Sequence, residues 1–265
     1  MIMTSQMGKD IRMSKIIDPV GRPAIIVKAD EGLAVGPVEG LEEIEEGLRS
    51  AIAAGVDGMV LGPGQASRNA HLFRGKTAPA MLVRADWSNF GRNEKFPLPW
   101  KRMTHVTVAG AKHAAFLGAH AVVASFFVGY RDDLDEANNI ESLSHLGAEC
   151  FEYGLPLVAE AVPVGERITD HNFVDSAKMA GRMSLEAGAD AIAVPFTGSR
   201  ATMKEVVDSS GEAPVLLISN GSNEQEIVAS LKAGVSGIML DAVVFRGGVG
   251  ATIEGIKTIV EGVSK

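Results

Sequence analysis

A lysine and an aspartate two residues apart close the first strongly apolar run of the chain, Ala24-Ile-Ile-Val-Lys28-Ala-Asp30. On a β-strand, residues two apart project from one face, so this amine and this carboxylate share a surface. The pairing suits carbonyl chemistry. Burial makes a lysine give up its proton more easily, which turns it into a nucleophile, and a neighbouring carboxylate can act as general acid or base. The competing reading is an ion pair of Lys28 with interior carboxylates (Asp30, Glu160 or Asp241) and no covalent step. Asp30 can alternatively cap the loop that follows it. Glu160 sits inside another apolar run, Pro156-Leu-Val-Ala-Glu160-Ala-Val162, where a glutamate is seldom tolerated unless paired. It is the second acid/base candidate. Asp241 is a weaker one, since it can equally bind a backbone amide or a cation.

A third group lies in Met81-Leu-Val-Arg84-Ala-Asp86-Trp87, where Arg84 and Asp86 again share a face. Facing inward, Arg84 is expected to grip the carboxylate, sulfonate or phosphate of a substrate in two-pronged fashion. Facing outward, the two form a surface pair. Ser199 and Arg200, then Asn220, Gly221 and Ser222, follow two later apolar runs and are expected to line the same rim. The amides around Asn220–Ser222 precede a helix and suit an anion.

The elements that must position these side chains are eight apolar runs: Ala24–Asp30, Gly58–Gly62, Ala80–Asp86, Ala121–Val128, Pro156–Val162, Ala189–Phe196, Pro214–Ser219 and Gly237–Val243. Most are continuously apolar, the pattern of parallel strands buried on both faces. Amphipathic stretches alternate with them, clearest at Glu42–Ala54, Thr107–Leu117, Asp135–Tyr153, Asp170–Ala187, Asn223–Ala233 and Ala251–Val263. A near-repeat marks the helix-to-strand junctions: Ala-Gly55-Val-Asp, Leu-Gly118-Ala-His, Tyr-Gly154-Leu-Pro, Ala-Gly188-Ala-Asp and Ala-Gly234-Val-Ser. Glycine there accepts the left-handed conformation that ends a helix. The pattern predicts an α/β chain folded as one (β/α)8 TIM barrel over 1–265, with chemistry at the C-terminal ends of its strands. Residues 1–20 read as an N-terminal extension. Residues 87–103, with Trp87, Trp100, Phe90, Phe96, Pro97 and Pro99, read as a long aromatic loop, either a lid or a subunit contact.

Composition narrows the partners. The 265 residues carry a net charge of -8 without a basic cluster, which argues against nucleic acid. The single cysteine, Cys150, excludes an internal disulfide and fits a reducing cytoplasm. No apolar stretch approaches the ~20 residues of a membrane span, and Met1–Lys15 lacks a secretory core. The expectation is a cytoplasmic protein acting on a small molecule. The six histidines show no zinc spacing. His105 and His113 read as helical or nearly so, His120 just precedes the fourth strand, His71 and His145 read as surface residues, and His171 is the one near the rim. No cofactor is expected. A divalent cation on Asp30, Glu160, Asp86 and Asp241 is the competing possibility.

The stretches Gly21-Arg-Pro-Ala-Ile-Ile-Val-Lys-Ala-Asp30-Glu-Gly32 and Gly36-Pro37-Val-Glu-Gly40 resemble the opening of the archaeal-type class I fructose-bisphosphate aldolase family. That family also holds autoinducer-2 phosphate thiolases and an aminodideoxyheptulosonate synthase. The resemblance continues through Gly188-Ala-Asp190, Phe196-Thr-Gly198, Ser219-Asn-Gly221 and Ala233-Gly-Val-Ser-Gly237. It implies a TIM barrel, Schiff-base aldol chemistry and a homo-oligomer. Three functional positions differ: Ala193 stands where the family has its strand-6 lysine, Val162 where it has a tyrosine acid, and Asp241-Ala242 where it has a Gly-Arg phosphate contact. Asp30 is kept. Loss of one interior lysine and gain of another implies a remodelled site.

The reading that unites these observations is a carbon–carbon lyase acting on a small hydroxylated carbonyl compound, sugar-derived or a keto-acid. Its Schiff-base lysine is relocated to Lys28, Asp30 and Glu160 move protons, and Arg84 holds an anionic group. Two alternatives stand beside it. One is a keto-sugar isomerase or metal-dependent lyase on the same carboxylates. The other is a non-catalytic ligand-binding homologue.

Overall fold

The computed structural model describes residues 2–263, and side chains from Ser5 onward. Eight parallel strands close into a barrel: β1 Ala24–Lys28, β2 Gly58–Leu61, β3 Ala80–Arg84, β4 Ala121–Val128, β5 Leu157–Pro163, β6 Ala191–Pro195, β7 Val215–Ser219 and β8 Gly237–Leu240. Each strand pairs with its neighbours in sequence, and β8 closes on β1. The helices in chain order are α1 Ile2–Ser14, α2 Gly32–Val35, α3 Ile44–Ala53, α4 Pro63–Asn69, α5 Ala111–Phe116, α6 Asp133–Tyr153, α7 Phe173–Glu186, α8 Arg200–Ser209, α9 Glu224–Ala233 and α10 Val249–Val263. This is the TIM barrel that the eight apolar runs predict. All five junction glycines (55, 118, 154, 188 and 234) adopt positive φ, between 62° and 103°.

Strand residues alternate as a period of two requires. The outward set packs under the helices in one large core with Ile25, Val27, Met59, Val83 and Val194. The inward set, including Ile26, Val60, Leu82, Val123, Val158, Ala193, Leu216 and Met239, fills the barrel as an apolar layer. Directly above that layer the inward positions turn polar: Lys28, Arg84, Ser125 and Glu160 are the next same-face residues of β1, β3, β4 and β5. Register holds them close, with Ser125 opposite Glu160 and Glu160 opposite Ala193.

The lower mouth is closed by α1, whose trailing Ile16 and Ile17 join the interior layer. The upper rim carries an antiparallel ribbon, Asp86–Ser88 against His105–Thr107. The ribbon occupies what the sequence assigns to the start of a helix at Thr107. Tertiary pairing with Asp86 wins there, and α5 begins only at Ala111. The helices α4 and α8, absent from the clearest amphipathic stretches, complete the outer ring.

Candidate active site

A cavity of about 460 Å³ opens over the polar layer at the C-terminal ends of the strands. Lys28, Asp30, Glu31, Arg84, Asp86, Ser125, Glu160, Val162 and Asp241 line its floor and sides, with Trp87, Phe90, Phe127, Pro195 and Ile218 among the apolar walls. Among the described residues, Lys28 is the one lysine that reaches it.

Lys28 Nζ lies 3.1 Å from Asp241 Oδ1, to which it donates a hydrogen bond, and 3.1 Å from Glu160 Oε1. The second contact lacks hydrogen-bond geometry, so Glu160 Oε1 gains a neighbouring charge but no donor. Burial alone would pull the Lys28 ammonium towards deprotonation. Glu160, Asp241 and Asp30 outweigh it and hold the amine above the ordinary lysine range. The expectation that burial frees the Lys28 amine is thereby corrected: the carboxylates around it keep it charged.

Arg84 is the centre of the floor. Its Nε donates to Asp30 Oδ2 at 2.5 Å, Nη1 to Asp86 Oδ1 and Ser125 Oγ at 3.3 Å each, and Nη2 lies 2.9 Å from Glu160 Oε2. It faces inward, the first of the two orientations left open by its spacing. Its three nitrogens, however, already meet the protein's own acids. Burial would lower its pKa, but the three carboxylates raise it well above the usual value. The acids respond in two directions. For Glu160, burial would raise the pKa, but Arg84 and Lys28 outweigh it and hold the carboxyl low. For Asp241 and Glu31, burial prevails and pushes the carboxyls up.

Behind Arg84 runs a buried chain that the sequence reading missed. Asp86 Oδ2 accepts from the Ser125 amide at 2.8 Å and lies 2.9 Å from His105 Nε2. His105 Nδ1 in turn lies 3.2 Å from Asn139 Nδ2 on α6. Asn139 is oriented by the Phe127 amide, which donates to its Oδ1 at 2.8 Å. Its amide nitrogen can only donate, so His105 Nδ1 accepts and Nε2 carries the proton given to Asp86. His105, read as helical, is therefore the ribbon residue that orients Asp86 and through it Arg84. The one available sequence signal was the five-residue break between His105 and the first alanine of α5.

The long loop after β3 covers part of the cavity. Arg92 donates to Ala34 O through Nε at 2.9 Å and Nη2 at 2.7 Å, and its guanidinium stacks over Trp87 and Phe96. Phe90 meets Phe127 with centroids 5.5 Å apart. Ala193, which stands where the family has its lysine, is fully buried in the apolar layer.

Five rim residues are not brought to the cavity. The Ser199 hydroxyl caps α8 by accepting from the Thr202 amide, and Arg200 Nε donates to Lys232 O at 3.1 Å. Asn220 Oδ1 accepts from the Ser222 amide at 3.0 Å and its hydroxyl at 2.7 Å, while the Gly221 amide donates to Ser219 Oγ at 3.1 Å. These groups satisfy one another, because short loops with Asn and Ser make their own turns. His171 is exposed just ahead of α7. Among the described residues no three His, Cys, Asp or Glu side chains converge as a metal site would require. The carboxylates at the floor face Arg84 and Lys28 instead.

A closed eight-stranded barrel with ionisable side chains gathered at its C-terminal strand ends defines a barrel enzyme whose chemistry is set by that rim. The comparisons narrow the class: residues 24–253 match the DeoC/LacD family of aldolases, and the chain belongs to it. An uncharacterized aldolase of Saccharolobus solfataricus is 31% identical over 202 residues, covering 76% of this chain and 73% of the relative. The 2-amino-3,7-dideoxy-D-threo-hept-6-ulosonate synthase of Halobacterium salinarum is 27% identical over 245 residues, covering 90% and 86%. Among solved structures, an archaeal fructose 1,6-bisphosphate aldolase shares the fold with a TM-score of 0.78 at 24% identity, covering 95% of this chain and 98% of its own. No helix among the described residues is long and apolar enough to cross a membrane.

Proposed function

We propose that the protein makes or breaks a carbon–carbon bond of aldol type in a small hydroxylated carbonyl compound, with Lys28 as its amine. The observation that carries this reading is the position of Lys28. It is the lysine in the cavity, its Nζ stands 3.1 Å from two carboxylates, and the chain belongs to an aldolase family. The amine is charged at rest, so the first event is proton transfer to a neighbour. Asp241 suits that role, because burial raises its pKa towards that of the amine and it already accepts the Lys28 hydrogen bond. The freed amine adds to the substrate carbonyl, and loss of water leaves an iminium. That group draws electrons from the adjacent carbon–carbon bond as a carboxylate takes the proton of the β-hydroxyl. Asp30 and Glu160, each with one buried oxygen lacking a donor, are placed for that second transfer.

The ion pairing of Lys28 also favours a second reading, in which it stays an ammonium and polarises a carbonyl without bonding to it, as in proton-transfer isomerisation. Borohydride reduction in the presence of small aldehydes, ketones and keto-acids, followed by peptide mapping, separates the two. The covalent reading expects a reduced adduct on Lys28 that disappears in Lys28→Ala together with turnover. Turnover without any lysine adduct would overturn it in favour of the ammonium reading.

A further inference from the structure

We infer that the compound accepted by this cavity is electrically neutral and hydroxyl-rich, without a phosphate or carboxylate terminus, and that Glu31 enforces the exclusion. The inference rests on the aldol reading for the carbonyl, but it concerns the rest of the ligand.

Charge is the first ground. Five carboxylates (Asp30, Glu31, Asp86, Glu160 and Asp241) face two cations, Lys28 and Arg84, around one cavity. Every nitrogen of Arg84 is taken by an acid of the protein, and Lys28 is shared between one of those acids, Glu160, and Asp241. An anion entering here meets an excess of negative charge and no uncommitted cation.

The second ground is what has become of the backbone amides at the ends of β7 and β8, where barrel enzymes commonly cradle a phosphate. The Ala242 amide, first after Asp241, donates to Glu31 Oε1 at 3.1 Å. A carboxylate of the chain thus holds the position an anionic ligand would take. After β7 the Gly221 and Ser222 amides are spent on Ser219 and Asn220. Asn223 caps α9 by accepting from Gln225 and Glu226, and Glu224 and Glu226 add negative charge to that first turn.

The third ground says what does fit. Asp30 Oδ1 and Glu160 Oε1 are buried without a hydrogen-bond partner, and both residues are more than nine-tenths buried. The other oxygen of each already meets Arg84, so their charge is compensated and what they lack is a donor. Ligand hydroxyls supply donors without adding charge beside Lys28 and Arg84.

Thermal unfolding with dihydroxyacetone, D-xylulose, D-fructose and D-glyceraldehyde, each paired with its phosphate monoester at equal concentration, tests the inference through binding alone. At least one neutral compound is expected to raise Tm by about 2 °C or more while its monoester does not. Glu31→Ala, which frees the Ala242 amide and removes a charge, should shift the neutral-to-phosphate preference towards phosphate by about tenfold. Inorganic phosphate should leave the wild type unshifted. Equal or larger shifts with the monoesters, or none with any neutral compound, overturn the inference. Monoester binding lost in Arg68→Ala would place the anion in the adjoining cavity, which shares Asp30 and Leu33 with this one. Turnover does not enter these readouts. A neutral ligand that binds without trapping Lys28 defeats the covalent reading and leaves this one standing.

Discussion

The two ends of the barrel treat buried charge in opposite ways. At the lower mouth three junction acceptors are each paired. Lys9 on α1 reaches both oxygens of Asp190, at 3.1 and 2.9 Å, and Asp190 also accepts the Leu157 amide at 2.8 Å. Arg22 meets both oxygens of Asp57, which accepts the Ile25 amide at 2.7 Å. His120 Nδ1 accepts the Met81 amide at 3.2 Å in the same manner. These three acceptors occupy one position of the junction repeat, two residues after its glycine, and each ties a helix-to-strand junction to the preceding strand. At the upper floor, Arg84 and Lys28 are outnumbered, and two buried carboxylate oxygens have no donor. These lower-mouth pairs close among themselves, whereas two carboxylate oxygens of the upper floor are left without a donor from the protein. Buried charge that is fully paired reads as architecture, and buried charge left short of a partner reads as function.

The strongest way to break that contrast is to remove the hub. Arg84→Leu keeps bulk but leaves Asp30, Asp86 and Glu160 facing one another without their shared cation. Stripping one partner from a buried ion pair is heavily destabilising. The expected loss is about 4 kcal/mol in urea unfolding, with the remaining folded protein inactive. A variant as stable as wild type would mean that the three acids are held by something other than Arg84, and the floor would no longer differ from the lower mouth in kind.

A smaller effect comes from Asp86 and fixes the sign of the pH dependence. Burial would raise its pKa, but Arg84, His105 and the Ser125 amide outweigh it and bring it down to about 2 from the usual 3.8. A carboxyl depressed on folding stabilises above its unfolded value, and that contribution is lost as pH falls through the folded one. It is worth about 2 kcal/mol at neutral pH and should vanish between about pH 4 and pH 2. Asp86→Asn should therefore be less stable than wild type at pH 7 and draw level only at about pH 2. A stability gap that stays constant across that range would show that Asp86 carries no special charge interaction.

The sequence made the scaffold legible and the site only half so. The apolar runs and the glycine junctions give eight strands, and a period of two puts Lys28, Asp30 and Glu160 on inward faces and Arg84 on one face with Asp86. Whether a charged residue is spoken for is decided by strands distant in sequence: Asp30 and Arg84 are 54 residues apart, Lys28 and Asp241 213. That is why the state of the Lys28 amine and the commitment of Arg84 could not be read. Loop course was equally hidden. Ser199 and Asn220 follow strands as binding residues do, but they spend their polar atoms on local turns. His105 and Asn139 escaped because each lies in a segment whose local pattern says only helix or loop.

The smallest predicted effect belongs to the lower mouth and sharpens the comparison. Lys9 is buried and paired, yet Asp190 keeps its backbone partner at Leu157 when the amine is gone. It is also more accessible than the carboxylates around Arg84, with a side chain 22% exposed, so water can replace part of what is lost. Lys9→Met, which retains the stem that packs beneath the barrel, should cost about 1–2 kcal/mol. Turnover, ligand-induced thermal shifts and Lys28 trapping should be unchanged. Equal damage to stability and to ligand binding would show that the two mouths are energetically coupled through the apolar layer between them. Independence, expected for sites separated by that layer, would confine the chemistry to the upper floor.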